Sequence, residues 1–282
     1  MINALTIDVE DYFQVSAFES VINFDDWTRF ESRVEQNTLR LLDILDAHDT
    51  KATFFTLAWI AERYPRLLRE IAARGHEVGS HGYAHRRVYT QTPSQFQQET
   101  RLSKRILEDI VGQPILGYRA ASYSITSHSL WALDVLQEAG FVYDSSIFPI
   151  RHDLYGIPGY QRFCHVHLTD SGQSLVEFPI STVRIVNANL PVGGGGYFRL
   201  FPYCFTRWGI RHLNSIEGQP AVVYLHPWEI DPAQPRIPAG RTSRFRHYLN
   251  LEKTASRLAR LLQDFQFSTM ADVLHNQGYF RR

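Results

Sequence analysis

The chain has 282 residues, of which 44% are hydrophobic and 21% are charged. This balance is typical of a globular protein with a large core, and it excludes a disordered chain. Its 29 basic and 29 acidic residues give a formal net charge of +0, so no electrostatic footprint indicates binding to nucleic acid. The only two cysteines, Cys164 and Cys204, exclude a disulfide scaffold and a thiolate zinc cluster.

The chain opens with a short apolar run that the acid Asp8 interrupts. This interruption comes too early for the core of a signal peptide, and no stretch of eighteen apolar residues follows. We therefore expect a cytoplasmic protein without a transmembrane segment.

Short apolar runs alternate with helical periods over the first two-thirds of the chain. The runs predict strands over residues 5–8, 52–57, 76–80, 116–119 and 141–144, and a late strand over residues 221–225. Strands that alternate with helices are typical of a parallel sheet or barrel. The sequence therefore predicts an α/β fold, and no internal repeat is visible.

Several helix boundaries are marked in the sequence. A first helical stripe ends near His48, and a second helical stretch runs to Gly75, which is placed to end it. Thr92 and Gln95 form a capping box around Pro93, so a helix is predicted to begin there. Its inward face is predicted to carry Phe96, Leu102, Ile106 and Ile110.

The second half of the chain has a less regular pattern. A helix over residues 129–139 is predicted to end at Gly140, and residues 247–264 predict one long amphipathic helix. Between them, residues 150–215 are predicted to form loops over the scaffold, including the glycine run at residues 193–196.

Five polar residues stand at the predicted carboxyl ends of apolar strands. They are Asp8, His81, Arg119, Asp144 and His226. In a parallel barrel these strand ends meet on one face, where such enzymes carry their catalytic residues. We therefore expect these side chains to lie together.

Two histidines four residues apart, His81 and His85, could hold one metal ion. The pair is a weak signal alone, because the chain has 12 histidines. No glutamate follows His81, so the pattern is not that of a metalloprotease, and a catalytic base must come from elsewhere.

Three acids follow the first predicted strand closely: Asp8, Glu10 and Asp11. One interpretation is an acidic, solvated turn. The functional interpretation is that one carboxylate completes a site of two histidines and one acid, while another accepts a proton from water that the metal activates.

Five motifs in order give a more specific indication. They are TIDVE at 6–10, HGYAH at 81–85, RAAS at 119–122, YDSS at 143–146 and LH at 225–226. Together they resemble the motifs of the polysaccharide deacetylase family, also called NodB homology or carbohydrate esterase family 4. The resemblance covers residues 4 to about 230. The segments at 193–199 and 245–248 resemble a subgroup found beside exopolysaccharide and exosortase gene clusters.

The resemblance implies a distorted (β/α) barrel that holds Zn²⁺ or another divalent transition metal. It also implies hydrolysis of N-acetyl groups on a polysaccharide or oligosaccharide, here an exopolysaccharide. We expect a single domain over residues 1–282, with a subgroup-specific extension from about 230 to 282. A cytoplasmic location would suit work on a precursor beside membrane-bound polysaccharide synthesis.

The resemblance also implies catalytic roles for four residues. Asp8 corresponds to the catalytic base and Arg119 to the arginine that orients it. His226 corresponds to the histidine that protonates the departing amine, and Asp144 to the acid that tunes this histidine.

For the metal, the resemblance implies that His81 and His85 are ligands. Family members commonly have two adjacent aspartates after the first strand, whereas Val9 follows Asp8 in this chain. Some members space the two acids by one residue, so we expect Glu10 to be the third ligand, with Asp11 as the alternative.

Substrate contacts are expected from four further residues. Ser122 is expected to offer its backbone N–H to the oxyanion, and Tyr123, Arg199 and Trp228 are expected to bind substrate. His152 and Asp153 form another polar pair that could contact substrate. Further aromatic residues near the motifs have no assigned role; they are Tyr12, Phe13, Tyr197 and Phe198.

Two alternatives to a polysaccharide deacetylase remain open. The first is a hydrolase of another non-peptide C–N bond, in a small cyclic amide or ureide. The second is a carbohydrate-binding module without catalytic activity, which would bind oligosaccharides without turnover.

Overall fold

The computed structural model describes residues 1–169 and 172–280. Its strands are β1 (Ile2–Val9), β2 (Thr53–Thr56), β3 (Glu77–Ser80), β4 (Gly117–Tyr118), β5 (Tyr143–Asp144), β6 (His165–Leu168), β7 (Ser174–Glu177), β8 (Thr182–Ile185), β9 (Ala188–Pro191), β10 (Val222–Leu225) and β11 (Gln266–Ser268). Its helices are α1 (Val34–Asp46), α2 (Ala58–Arg63), α3 (Pro65–Ala73), α4 (Pro93–Val111), α5 (Trp131–Glu138), α6 (Gly195–Leu200), α7 (Tyr203–Ser215), α8 (Arg241–Tyr248), α9 (Leu251–Asp264) and α10 (Met270–Asn276).

The strands form one main sheet with the order β10-β1-β2-β3-β4-β5-β7-β6, and β11 also pairs with β1. All pairings in this sheet are parallel except that of β6 with β7. Strand β1 lies inside the sheet and is buried along almost its whole length, as its apolar sequence requires. The predicted α/β fold with a distorted (β/α) barrel is confirmed.

The segment that follows β7 returns to β10, at the opposite edge of the main sheet. The backbone N–H of Val222 donates to the Ser181 hydroxyl at 2.7 Å, and the N–H of Tyr224 donates to the carbonyl of Gly193 at 2.7 Å. Residues 181 and 193 therefore lie against β10, which carries His226 at its carboxyl end.

The helix signals are confirmed where a capping pattern marks them. In α4, the backbone N–H of Gln95 donates to the Thr92 hydroxyl, and the N–H of Thr92 donates to the Gln95 side chain. Gly75 has a φ of 77° just after α3, as expected for a helix-ending glycine. The stripe on α1 is also buried as predicted; it consists of Val34, Thr38, Leu41, Leu42 and Leu45.

The predicted inward face of α4 is wrong in part. Leu102 is exposed, and the buried stripe runs through Phe96, Thr100, Ser103 and Leu107. One polar residue of this stripe, Ser103, is satisfied by the Ser80 hydroxyl, which lies 3.0 Å from its own. Ile106 and Ile110 are half-buried against the core, so the prediction is wrong for Leu102 alone.

Two further predictions about the second half of the chain are wrong. Residues 150–215 contain the strands β6 to β9 and the helices α6 and α7, rather than loops alone. The predicted helix over residues 247–264 is two helices, because Asn250 takes a left-handed conformation with a φ of 53°. The Asn250 side chain donates to the carbonyl of Arg199 at 2.9 Å, which fixes this break.

The carboxyl-terminal extension predicted from about residue 230 packs onto the barrel. It contributes α8, α9, β11 and α10, and its last two residues lie outside the described part of the chain. Across residues 1–169 and 172–280, every helix is too short or too polar to cross a membrane.

Candidate active site

The carboxyl ends of the parallel strands open into a cavity of about 510 Å³. Asp8 and Glu10 enter it from the end of β1, His81 from the end of β3, and His226 from the end of β10. Of the five strand-end residues predicted to lie together, Asp8, His81 and His226 line this cavity, whereas Arg119 and Asp144 lie behind its lining.

Glu10, His81 and His85 form a cluster in the inner part of this cavity. One ligand atom from each of the three lies within 4.8 Å of the other two. The Nε2 of His85 is 2.8 Å from Oε2 of Glu10, and both side chains are buried. Two imidazoles and one carboxylate are a donor set that suits zinc and other divalent transition metals.

The neighbours of the cluster keep His81 neutral and Glu10 ionised, as binding of a cation requires. The Nδ1 of His81 is 2.8 Å from the carbonyl oxygen of Arg119, so Nδ1–H donates there and Nε2 keeps its lone pair. Burial lowers the pKa of His81 to about 4, which keeps the ring neutral at pH 7. Burial alone would raise the pKa of Glu10, but His85 and His226 lower it far below its usual range. These residues therefore fit a divalent cation.

Trp228 lines the cavity and fixes the carboxylate of the cluster. Its indole N–H donates to Oε1 of Glu10 at 3.1 Å, and its ring stacks on His226 with centroids 5.1 Å apart. Trp228 therefore orients Glu10, and its contact with substrate stays a prediction.

Asp8 stands beside the cluster and is paired with Arg119. Nη1 of Arg119 donates to Oδ1 of Asp8 at 2.7 Å and to the Thr6 hydroxyl at 2.6 Å, and both charged groups are buried. Its Nε donates to the carbonyl oxygen of Ser145, and its Nη2 donates to the Ser145 hydroxyl. Arg119 thus fixes one carboxylate oxygen of Asp8, the pair that the resemblance implied.

His226 faces Asp8 and Glu10 across the cavity. Its Nε2 is 3.9 Å from Oδ2 of Asp8 and 3.4 Å from Oε1 of Glu10. Burial alone would lower the pKa of His226, but the carboxylates of Glu10, Glu229 and Asp8 raise it to about 9. The imidazole is therefore suited to carry a proton at neutral pH.

The acid that contacts Nδ1 of His226 is Glu229, to which the sequence assigned no role in catalysis. Nδ1 of His226 is 2.6 Å from Oε1 of Glu229, and the Glu229 side chain is fully buried. Glu229 is three residues after His226 in a 3₁₀ turn, Pro227–Ile230, so the backbone itself brings the pair together. The spacing His226-x-x-Glu229 was the available signal.

The predicted tuning of His226 by Asp144 is wrong in this structure. Both carboxylate oxygens of Asp144 accept from Ser146, one from its hydroxyl at 2.6 Å and one from its backbone N–H at 3.1 Å. The Ser146 hydroxyl in turn accepts from the backbone N–H of Ala120 at 2.7 Å. Asp144 therefore supports the segment after Arg119 from behind. Burial raises the pKa of Asp144 and, more strongly, that of the adjacent Glu177.

The predicted substrate contact of Arg199 is also corrected. Arg199 is buried, and its guanidinium donates to Oε2 of Glu229 at 3.2 Å. Its remaining donors bind carbonyl oxygens at the end of α8; these belong to Arg246, His247 and Leu249. Arg199 thus joins Glu229 to the carboxyl-terminal extension instead of lining the cavity.

Of the two possible carboxylate ligands, the structure brings Glu10 to the histidines. Asp11 points away and starts helix α1: its Oδ2 accepts from the backbone N–H groups of Arg33 and Val34 at 2.8 and 3.1 Å. The Ser32 hydroxyl donates to the same oxygen at 2.8 Å. Asp11 is therefore occupied in holding the first helix.

The remaining predicted residues lie along the cavity wall. Ser122 has a left-handed backbone with a φ of 52°, and its hydroxyl is 2.5 Å from that of Ser16. The Tyr123 hydroxyl is 3.4 Å from Oδ2 of Asp8. His152 also lines the cavity, stacks on Tyr155 with centroids 3.8 Å apart and contacts Asp153 at 2.9 Å. Three aromatic residues without an assigned role lie in the core: Tyr12, Phe13 and Phe198.

The fold and this site define an α/β barrel with a two-histidine, one-carboxylate cluster beside a separate aspartate. Residues 15–143 match the family model of polysaccharide deacetylases, and residues 145–275 match a domain of unknown function, DUF3473. Residues 15–143 are therefore similar to polysaccharide deacetylases over somewhat less than half of the chain, and the match to the second domain follows them.

Curated relatives with assigned names match parts of the chain. It is 30% identical over 161 residues to YheN of Bacillus subtilis (strain 168), which is named as a candidate polysaccharide deacetylase; this match covers 55% of the chain and 57% of the relative. It is 32% identical over 94 residues to a peptidoglycan-N-acetylglucosamine deacetylase of Bacillus cereus, covering 33% and 32%. The chain thus spans less than two-thirds of the length of either relative.

Solved structures resemble the whole chain in fold. A polysaccharide deacetylase candidate from Mycobacterium smegmatis has a TM-score of 0.63 at 22% identity, over 99% of this chain and 91% of that one. The PuuE allantoinase has the same TM-score and coverage at 16% identity. At such identities the likeness describes the fold alone.

Proposed function

We propose that this protein is a metal-dependent deacetylase that removes N-acetyl groups from N-acetylhexosamine units of a polysaccharide. The observation that carries the proposal is Asp8, which lies outside the Glu10, His81 and His85 cluster, is held by Arg119 at 2.7 Å and faces His226 at 3.9 Å. A site with a separate base and acid on either side of a cation position is what hydrolysis of an amide requires.

Glu10, His81 and His85 would hold the cation, and a divalent cation bound there lowers the pKa of water and polarises a carbonyl oxygen. Asp8 accepts the proton of the attacking water, because Arg119 fixes one carboxylate oxygen and leaves the other towards the cavity. We propose zinc as the cation, since tetrahedral sites with nitrogen and oxygen ligands are typical of it.

His226 is placed to deliver a proton to the departing nitrogen. An amide expels an unprotonated amine with difficulty, so this step needs a positioned acid. Glu229 accepts from Nδ1 of His226, which stabilises the protonated imidazole and leaves Nε2 facing the cavity. The backbone N–H of Ser122 stays our predicted contact for the oxyanion.

The test is acetate release from N-acetylated chito-oligosaccharides and from a purified exopolysaccharide, with metal content measured by plasma emission. Asp8→Asn should lower the rate by about 10²- to 10⁴-fold and keep the metal. His81→Ala should lose both, since it removes a ligand. Equal activity in the wild type and Asp8→Asn would contradict the proposal.

The same assay separates the alternatives. Ring opening of small cyclic amides or ureides without acetate release would indicate the other class of hydrolase. Oligosaccharide binding without turnover by the metal-loaded wild type would indicate a binding module. The resemblance of the carboxyl-terminal segments to exopolysaccharide-associated proteins supports an exopolysaccharide as the polymer. A cytoplasmic location stays a prediction, which fractionation of producing cells would test.

A further inference from the structure

A second cavity, which we call the annex, adjoins the catalytic cavity beside the metal cluster. The annex has a volume of about 200 Å³. The two cavities share four lining residues, namely Val15, Ser16, Glu19 and His85. Because His85 belongs to the cluster, the annex lies directly beside the position of a reacting group in the first cavity.

The annex is too small for a complete ligand. Sites that bind whole small molecules usually have volumes of about 300–1,000 Å³. A volume below that range suits one unit of a longer molecule whose reacting part lies next door. A polymer could place one unit in the catalytic cavity and its neighbouring unit in the annex.

An exposed aromatic ring stands on the wall of the annex. Phe24 lines the annex and is 43% exposed, although its ring packs edge-on against Trp27 with centroids 5.0 Å apart. Trp27 is buried beneath it and Tyr83 lies on another side at 6.4 Å, so Phe24 is held in place with part of its surface open. Aromatic surfaces of this kind stack on the apolar faces of sugar rings.

Polar groups surround the same annex. Arg87 forms an ion pair with Glu19 at the border between the cavities, and its Nη1 donates to the Tyr89 hydroxyl at 2.9 Å. Gln14 also lines the annex, and its Oε1 accepts a hydrogen bond from the backbone N–H of Asp11 at 2.7 Å. One aromatic wall with hydrogen-bonding groups around it is the composition that a hydroxyl-rich ring requires.

We propose that the annex is a binding subsite for the sugar residue next to the one that is deacetylated, with Phe24 as its stacking surface. The proposal rests on the proposed function, because it takes the reacting sugar to lie in the catalytic cavity. It makes the enzyme selective for chains over single sugars. The determinant belongs to the long connection between β1 and α1, not to the metal cluster.

Phe24→Ala tests the subsite, with Trp208→Ala as the matched control. Trp208 is 42% exposed and lies on α7, away from both cavities. With chito-oligosaccharides of one to five units as the probe, Phe24→Ala should raise KM about tenfold for the longer chains. It should leave kcat, and KM for the single sugar, unchanged. Trp208→Ala should match the wild type throughout.

A filling variant gives independent evidence. Thr90 is exposed and lines the annex, so Thr90→Trp should block it and raise KM for the longer chains only. Thr28→Trp, on the exposed surface of the same connection, is its control. If Phe24→Ala and Thr90→Trp both keep the wild-type KM at every chain length, the subsite is refuted while the proposed function stands.

Binding measurements separate this proposal from the proposed function. Calorimetric titration of Asp8→Asn with the same oligosaccharides should give tighter binding with length, and Phe24→Ala in that background should abolish the gain. This result would support the subsite even if the wild type released no acetate. Binding that is independent of length in both variants would overturn it.

Discussion

At the scale of single residues, the buried carboxylate of Glu229 contacts two partners, His226 and Arg199. One oxygen is 2.6 Å from Nδ1 of His226, and the other accepts from Nε of Arg199 at 3.2 Å. A carboxylate on Nδ1 fixes the orientation and the tautomer of the ring and stabilises its protonated form. Glu229 is therefore a positioning residue for His226.

Glu229→Gln should lower kcat for acetate release by about 10²-fold or more, because the amide keeps the shape but removes the charge that stabilises the imidazolium. Metal content, measured by plasma emission, should not change, since Glu229 contacts none of the three cluster residues. Glu252→Gln, at an exposed position on α9, is the control. A loss of less than about threefold would show that the carboxylate charge is dispensable.

Sequence reasoning found most of the residues that meet in the cavity, for a physical reason. Parallel strands place their carboxyl ends on one face, so Asp8, His81 and His226 could be grouped without coordinates. The resemblance implied that Asp144 serves His226, and this was wrong. Asp144 also stands at the end of a strand, and only the direction of its side chain distinguishes it from Glu229. The sequence also could not show that Arg199 is buried, because this depends on the direction of its side chain.

At the scale of elements, the glycine run between β9 and α6 sets how closely the backbone approaches β10. Gly194 has a φ of 122°, and a Cβ there would lie 2.0 Å from the carbonyl oxygen of Tyr224. No side chain fits at that distance, so β10 and the residue His226 that follows it depend on this contact.

Gly194→Ala should lower the free energy of unfolding by at least about 3 kcal/mol, because backbone strain and the clash with β10 add together. Gly196→Ala is the matched control from the same run, since its Cβ would meet nothing closer than 4.0 Å. It should be neutral or slightly stabilising within α6. Urea unfolding of both variants checks this, and equal stabilities would contradict the close approach.

The elements that the sequence predicted are those with strong local signals. The capping box of Thr92 and Gln95 begins α4 as expected, and the apolar run at 221–225 contains β10. The antiparallel pair β8 and β9 was missed, because several of its residues are exposed and the apolar alternation is short. The break at Asn250 was missed because it depends on a contact with Arg199, which is distant in sequence.

At the scale of the whole molecule, a buried histidine far from the cavity makes stability depend on pH. His76 is buried, and its Nδ1 accepts the backbone N–H of Ala52 at 3.2 Å. Burial, with a smaller contribution from Lys51, lowers the pKa of His76 to about 4. Between this value and the usual pKa of about 6.5, the unfolded chain binds a proton that the folded chain does not.

Stability should therefore fall as the pH drops from 6.5 towards 4, and His76→Asn should weaken this dependence. The asparagine oxygen can still accept from Ala52, while the titrating ring is gone. One proton corresponds to at most about 1.4 kcal/mol per pH unit. Chemical unfolding at several pH values measures it, with the exposed His128→Asn as control. Parallel curves for the wild type and His76→Asn would contradict the assignment.

The reaction centre draws on both parts that the family models separate. His81, His85 and Arg119 come from residues 15–143, whereas His226, Trp228 and Glu229 come from residues 145–275. Asp8 and Glu10 precede both. Exchange of the downstream part alone would leave Asp8 without the facing His226, and exchange of the upstream part alone would leave Glu10 without its two histidines, so we expect the two parts to be inherited together. The downstream part would then be retained for the residues that it contributes to the cavity, His226 and Trp228.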